Sequence, residues 1–293
     1  MEYALLCLAV FGVYIQTIFK KNFSLKNENT LPAHCLYGLG ISCGALLFLE
    51  ITRRITGTPF VLHLPTVGYA AIFAVGFAAC GIFSNLSVAT GPLGLTALLE
   101  SYSQMIPTLF GLLVLQNPVN PLFLIGLVFL VLSLYFVRTK DKEQVFRKGW
   151  LAFICLAVVL NGICGIMLTL HQSAFPGAYR FEMLEIAMVF TILLNLGTFG
   201  ALCARKQTRP QSVRKLFAGL YNAPIAGLFN GVVNYLLLVL VSVLPAALLF
   251  PMVSAGGLLL TAVSSLAFYR ERYTWQQYWG FVMGLIAIVL MNL

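Results

Sequence analysis

The sequence predicts an all-α membrane protein with ten transmembrane helices arranged as two inverted five-helix repeats. Of its 293 residues, 60% are hydrophobic and only 9% are charged, whereas a soluble domain carries about 25% charged residues. Continuous apolar runs of about 20 residues, the length that crosses a bilayer as a helix, recur along the chain. The second half also repeats the organisation of the first. These three observations favour the fold class.

The first five apolar segments are separated by breaks of basic residues, glycine and proline. The first ends at Lys20-Lys21, Gly91-Pro92 divides the third from the fourth, and Asn117-Pro118 divides the fourth from the fifth. Proline and glycine disfavour the continuation of a helix and so mark its ends. The predicted spans are residues 2–19, 31–52, 65–89, 92–115 and 119–137.

The other five segments are delimited in the same way. The polar run 138–148 marks the middle of the chain, residues 205–215 follow the seventh segment, and Pro245 divides the eighth from the ninth. Polar runs of this kind suit loops outside the bilayer. The predicted spans are residues 149–171, 182–204, 214–242, 244–268 and 275–291.

The distribution of charge excludes several classes of protein. Residues 55–137 contain no Lys, Arg or Asp and a single Glu, and residues 216–269 contain no charge. Ten spans use about 200 residues, which leaves loops but no soluble domain. We therefore exclude a soluble enzyme, a receptor with a large ectodomain and a transporter with an attached ATPase. A β-barrel is disfavoured because its strands alternate apolar and polar residues.

The net charge of +9 does not indicate a nucleic-acid partner. The basic residues lie in short clusters between apolar segments, where Lys and Arg mark the cytoplasmic side of a membrane. The expected surroundings are therefore a lipid bilayer. Because 15 of the 18 Lys and Arg residues lie in the odd-numbered loops, we expect those loops inside the plasma (cytoplasmic) membrane and both termini outside.

An internal repeat accounts for the order of the segments. An ungapped offset of 154 lays Leu95 on Leu249 and Gly126 on Gly280. The expected division is a first repeat over 1–137, a basic connecting loop over 138–148 and a second repeat over 149–293. An odd number of spans per repeat inverts the second copy, an arrangement typical of alternating-access transporters with a substrate site between the repeats.

Two stretches resemble the drug/metabolite transporter superfamily, EamA type. They are GPLGLTALLESYSQMIPTLFGLLVLQNPVNPLFLIGLVFLVLSL (91–134) and LPAALLFPMVSAGGLLLTAVSSLAFYRERYTWQQYWGFVMGLIAIVLMNL (244–293). In the family's pattern a proline opens a helix and an acidic residue closes it before a glycine-containing last helix. Glu271 and Gly280 match this pattern, whereas Asn117 stands where the first copy usually has Glu. The resemblance implies a carrier with a central cavity for amino acids, drugs, sugars, nucleotide sugars or quaternary amines.

Glu100 is the foremost candidate for a functional residue. It is the only acid in the 55–137 stretch, and a carboxylate within a span is a functional-site hypothesis by default. Gln104 follows four residues later on the same helical face. Pro107 leaves the carbonyl of Ser103 without its usual helical partner, so that water or a solute could use it. The alternative is a protonated Glu100 that bonds to a neighbouring helix.

The eighth span carries a second polar face. Asn222, Asn230 and Asn234 spread over about 120° of a helix, which is one side of it. Their amides can donate and accept hydrogen bonds, so they suit a polar solute. They equally suit contacts between helices, which contribute about 0.6 kcal/mol per bond on average.

Four further polar residues are weaker candidates for the cavity lining. Asn161 and Asn195 lie near the middle of their spans, and the same two interpretations apply to them. Tyr102 and Tyr235 combine a polar hydroxyl with a ring face that attracts cations.

No metal, cofactor or catalytic site is expected. The sequence lacks a nucleophile elbow, an HExxH motif, a phosphate loop and a dinucleotide fingerprint, so we do not expect an enzyme. His34 and His171 have no second metal ligand nearby in sequence. Glu182 and Glu185 follow Arg180, and we interpret them as part of a local solvated charge cluster.

These patterns favour a secondary transporter for a small polar organic metabolite or drug, cations included, working by alternating access. Glu100 would bind either the positive group of the substrate or a proton, and this exchange would couple transport. The alternatives are a lipid scramblase, an intramembrane enzyme, and a non-transporting receptor or assembly subunit.

Overall fold

A computed structural model describes residues 2–27, 30–90, 96, 99–100, 102–116, 121–137, 149–204, 216–269 and 275–292. The regular structure of these residues is helical throughout. The expected connecting loop 138–148 and the motif residues Leu95, Asn117 and Glu271 lie outside them.

The described residues form ten α-helices, and a 3-10 turn over Tyr102–Gln104 precedes the fourth. The helices are α1 Glu2–Lys26, α2 Leu31–Ile55, α3 Leu64–Thr90, α4 Met105–Leu113, α5 Pro121–Val137, α6 Trp150–Ala174, α7 Arg180–Ala204, α8 Asn222–Val241, α9 Ala246–Tyr269 and α10 Trp275–Asn292. Six of them, α1, α2, α3, α6, α7 and α8, are long and apolar enough to cross a membrane. These lengths and compositions are those of an integral membrane protein.

Several helix ends differ from the prediction by one to three residues. In the predicted fourth span, 92–115, the 3-10 turn precedes a short helix that begins at Met105. Two further ends differ by seven residues or more, and one of them matters for the site. α1 runs to Lys26 instead of ending at residue 19, because lysine is a good helix former and need not leave the helix where the apolar run stops. The eighth helix begins at Asn222 instead of residue 214. Gly219 has a φ of 71°, a left-handed conformation that interrupts a helix.

The close crossing of α2 and α8 depends on glycines. A Cβ on Gly44 would overlap the carbonyl oxygen of Pro224, and a Cβ on Gly227 would overlap that of Ile41. Small residues let the backbones of two membrane helices approach closely. The crossing therefore fixes α8 against the middle of α2.

The remaining helices pack around this crossing. α2 also packs against α7, α3 packs against α6 and α7, and α1 packs against α8 and α9. α4 lies against α6 and α9, while α5 and α10 form a peripheral pair. The main apolar core lies among α1, α2, α3, α6, α7, α8 and α9 and includes the fully buried Leu49, Leu184, Leu238 and Leu249.

Candidate functional site

A cavity of ≈ 280 Å³ lies between α1, α2, α3, α6, α7, α8, α9 and the segment that precedes α4. Helices α1, α2 and α3 line it chiefly with the halves that lie toward the α1–α2 connection. Six of the nine residues proposed from the sequence line this cavity: Glu100, Gln104, Asn161, Asn195, Asn230 and Asn234.

A charged cluster occupies one wall of the cavity. The Nζ of Lys20 in α1 lies 3.1 Å from Oε1 and 3.3 Å from Oε2 of Glu100. Ser84 of α3 donates a short hydrogen bond to Glu100 Oε1 and accepts one from Lys20. The side chains of Lys20 and Glu100 are 20% and 30% exposed, so both remain accessible from the cavity.

This ion pair gives Glu100 a partner other than the proton, cationic solute or neighbouring polar group expected from the sequence. Lys20 precedes Glu100 by 80 residues and lies in the part of α1 that continues beyond the predicted end. By sequence, Lys20 falls in the first loop, where a basic residue marks the membrane topology. In the structure it faces the cavity and offsets the charge of Glu100.

Amide side chains link the helices around the rest of the cavity. Asn230 of α8 donates through Nδ2 to Oε1 of Gln16 in α1 at 2.9 Å. Asn234 Nδ2 donates to Oδ1 and to the backbone oxygen of Asn230, both at 3.0 Å. Asn161 donates to Ser103 Oγ at 2.8 Å. These amides therefore join helices and also present polar atoms to the cavity.

Two deeply buried polar atoms on α2 and α7 have no partner in the part of the chain that the structure describes. Tyr37 of α2 and Asn195 of α7 line the cavity and are 1% and 2% exposed. Asn195 Nδ2 donates to the backbone oxygen of Thr191 at 2.9 Å. Among the described residues, neither Asn195 Oδ1 nor the Tyr37 hydroxyl has a hydrogen-bond partner.

Three residues proposed from the sequence do not line the cavity. Asn222 donates to the backbone oxygen of Gly219 at 2.7 Å and so stabilises the turn before α8. Tyr235 stacks on Phe181, with ring centroids 4.8 Å apart. Tyr102 lies in the 3-10 turn. Helical spacing alone did not distinguish these positions from those that face the cavity.

Sequence reasoning also missed residues that line the cavity. Gln16 and Lys20 are one turn apart on α1, and Ser84-Asn85 form a polar pair within an otherwise apolar helix. These spacings were a usable signal. No comparable signal identified Tyr37, because it is one of many aromatic residues and its sequence position does not show that it lines a cavity.

An ion-pair cluster joins α2 to α7 at the other end of the bundle. Arg53 Nε lies 2.9 Å from Oε1 and 3.2 Å from Oε2 of Glu185, and Arg53 also forms a short contact with Glu50. We call Glu50, Arg53 and Glu185 the latch. Glu182, which accepts the backbone N–H of Val61 at 3.1 Å, and Glu185 are 4% and 5% exposed. The expectation of a solvated cluster is therefore wrong, because both acids are buried and accept hydrogen bonds within the protein.

A chain of hydrogen bonds accompanies the latch. Thr66 Oγ1 lies 3.3 Å from Nε2 of His171. Arg180 Nε donates to Gln172 Oε1 at 3.2 Å, and the Arg180 guanidinium donates to Ser242 Oγ at 2.6 Å. These contacts tie the first turns of α3 and α7 to the ends of α6 and α8, away from the cavity.

Comparison with known proteins bears on the fold. No family model and no curated protein matches this chain. A solved structure, described only as a crystal structure of a protein, superposes with a TM-score of 0.69. The alignment covers 97% of this chain and 98% of that chain at 11% identity. At this identity the similarity is one of fold, extending over almost the whole of both chains.

Proposed function

We propose that this protein is an EamA-type secondary transporter that moves a small polar organic solute across the plasma membrane by alternating access. The observation that carries the proposal is the cavity, which combines an ion pair with amide side chains inside an apolar helical bundle. Polar and ionisable residues within membrane spans mark solute pathways. A helical bundle that required only stability would be tightly packed and would contain no such cavity.

The packing supports an inverted repeat with residues 1–137 in one copy and 149–293 in the other. If each helix is exchanged for the one five places away, the contact of α1 with α8 becomes that of α6 with α3, and both contacts exist. The contacts of α2 with α8 and of α7 with α3 form a second such pair. The exchange leaves the contacts of the pairs α2–α7, α4–α9 and α5–α10 unchanged, because it swaps the two members of each pair. A two-fold relation between the halves accounts for this exchange.

The positions of the cavity and the latch support alternating access. Tyr37 in the cavity and Arg53 in the latch are 16 residues apart on α2, or about 24 Å at 1.5 Å per residue. The latch thus closes the bundle at the end remote from the charged cluster. Transport would require the latch to open while the cavity end closes.

The ion pair changes the class of solute that we favour. Among the described residues that line the cavity, Lys20 and Glu100 carry the charge, and the two offset each other. A lone cation would meet a lysine next to the carboxylate. A solute that carries both charges, or none, fits this arrangement better than the cation favoured by the sequence alone.

Of the alternatives, a scramblase needs a polar groove open to lipid, whereas this polar lining lies between helices. A receptor or assembly subunit would bind a solute without moving it. An intramembrane enzyme would change the solute chemically. Recovery of intact solute from inside liposomes separates a transporter from both.

The test is uptake of labelled polar solutes by liposomes that contain the purified full-length protein. We expect saturable uptake of at least one zwitterionic or neutral solute, strongly reduced in Glu100→Gln. The matched control is Glu2→Gln, since Glu2 is an exposed residue at the start of α1 and should behave as wild type. Uptake no greater than in protein-free liposomes for zwitterionic, neutral and cationic solutes would contradict the proposal.

A further inference from the structure

We propose that Tyr37 and Asn195 form a second, uncharged subsite that binds a hydroxyl group of the solute. The inference rests on the proposed transport function and names a chemical feature of its cargo. The charged groups of the solute would bind at Lys20 and Glu100. Its hydroxyl group would bind at Tyr37 and Asn195, on other helices around the same cavity.

Two buried polar atoms of the cavity-lining residues lack a partner among the described residues. Buried polar atoms in native proteins almost always have a hydrogen-bond partner, and each exception calls for an explanation. The Tyr37 hydroxyl and Asn195 Oδ1 are both buried, both lack a partner among the described residues, and both belong to side chains that line one cavity. A ligand that supplies the missing partners explains the two exceptions together.

Both side chains are held in place by their neighbours. The ring of Tyr37 stacks on Phe23 with centroids 4.3 Å apart. The amide of Asn195 is oriented by its bond to the Thr191 backbone, and a Cβ built on Gly38 would lie only 2.8 Å from Asn195 Oδ1. The lack of a side chain at Gly38 therefore leaves room for the amide of Asn195 against α2. Groups positioned before binding lose little conformational entropy when the ligand arrives.

The hydrogen-bonding capacities of the two atoms suit a hydroxyl group. Asn195 Oδ1 only accepts hydrogen bonds, whereas a phenol hydroxyl can donate and accept. A hydroxyl group of the solute can donate to the amide oxygen and accept from the phenol. A methyl group of the same size can do neither and would leave both atoms unpaired. A site built in this way discriminates between a hydroxyl and a methyl group.

Threonine and valine are suitable probes. They share a zwitterionic head, which suits the pair Lys20 and Glu100, and they differ in one hydroxyl against one methyl. We expect the wild-type protein in liposomes to transport labelled threonine with a KM at least about ten-fold lower than that of valine, or roughly 1.4 kcal/mol.

Two variants remove the subsite. Tyr37→Phe deletes only the hydroxyl, and Asn195→Leu keeps a branched side chain without hydrogen-bonding atoms. In each, the preference should disappear, so that the KM values of threonine and valine become equal. Tyr235→Phe is the matched control, because Tyr235 packs on Phe181 outside the cavity, and it should retain the preference for threonine.

A second test measures the thermal stability of the protein and needs no solute. Because the Tyr37 hydroxyl has no partner, Tyr37→Phe should not lower the unfolding temperature of the ligand-free protein. Tyr221→Phe, which removes a hydroxyl bonded to Lys26, provides a comparison with a partnered phenol. A marked loss of stability in Tyr37→Phe would reveal another role for the hydroxyl and would overturn the subsite.

The outcomes separate the subsite from the proposed function. Equal transport of threonine and valine by the wild type, or a preference that survives in both variants, would overturn the subsite and leave transport standing. Saturable uptake of other polar solutes but of neither probe would also overturn it. A folded wild-type protein that takes up no polar solute would overturn the transport function itself.

Discussion

The presence of Lys20 changes which ligand Glu100 is expected to bind. Glu100 alone would be a carboxylate that requires a proton or a cation within the membrane. With Lys20 at 3.1 Å, the same carboxylate belongs to a neutral pair. Removing one member leaves the other without its counter-charge, which is costly in a partly buried position.

We therefore expect the two single variants to be less stable than the double variant. Lys20→Met should lower the free energy of unfolding by about 1–3 kcal/mol, the range for a group left without its bonding partner. Adding Glu100→Gln to Lys20→Met should recover part of the loss. Denaturant unfolding in detergent measures the effect. Additive losses in the double variant would show that the two charges do not interact.

Gly81 offers a test of the cavity wall with a matched control on the same helix. A Cβ on Gly81 or on Gly68 meets nothing within 4 Å, but only Gly81 lines the cavity. Both Gly→Ala changes should fold normally, since alanine favours a helix by about 1 kcal/mol over glycine. Only Gly81→Ala should change the KM for solute, because its methyl group enters the cavity. Equal transport by the two variants would contradict this assignment of the wall.

Helix packing is most sensitive at the crossing of α2 and α8. Gly44→Ala would force a methyl group against the backbone of α8, which cannot rotate away as a side chain could. Overpacking of this kind costs about 1–3 kcal/mol. We expect a lower unfolding temperature in detergent for Gly44→Ala. Gly197→Ala on α7, where a Cβ has open space, should have no such effect, and a similar loss there would point to a general intolerance of the fold.

The latch allows a prediction about helix movement. Arg53→Gln removes the charge that bridges Glu50 and Glu185, so the end of the bundle that contains the latch should open more often. A cysteine at the fully buried position of Leu184 should then react faster with a thiol reagent. Arg54→Gln is the control, since Arg54 is 75% exposed and pairs with Glu50. The same labelling rate in both variants would exclude a gating role for Arg53.

On the scale of the whole molecule, the helices were predictable and the partners across the bundle were not. Continuous apolar runs located the long helices, and polar residues within those runs included Glu100 and Asn230 of the cavity. The contact of Arg53 with Glu185 spans 132 residues. It depends on how α2 meets α7, which no local pattern records. Lys20 was missed for a related reason, because its helix continues past the end of the apolar run.

The orientation in the membrane remains a prediction for the whole chain. The excess of Lys and Arg in the odd-numbered loops predicts that the 205–215 loop is cytoplasmic. A cysteine replacing Gln207 should react with an impermeant reagent only in inside-out vesicles. A cysteine replacing the exposed Thr58, between α2 and α3, should react only in right-side-out cells. The reverse pattern would place the termini in the cytoplasm.

The helix pair α2–α7 carries residues of both the latch and the cavity. α2 contributes Arg53 to the former and Tyr37 to the latter, and Gly44 lies between them at the contact with α8. The crossing can thus serve as the fulcrum of a lever with arms of about 10–14 Å. A rigid tilt of about 10° would move the two ends in opposite directions by about 2 Å each, enough to break a hydrogen bond. A helix held in this way would link the release of Arg53 from Glu185 to the geometry of the cavity, without any change in its own fold.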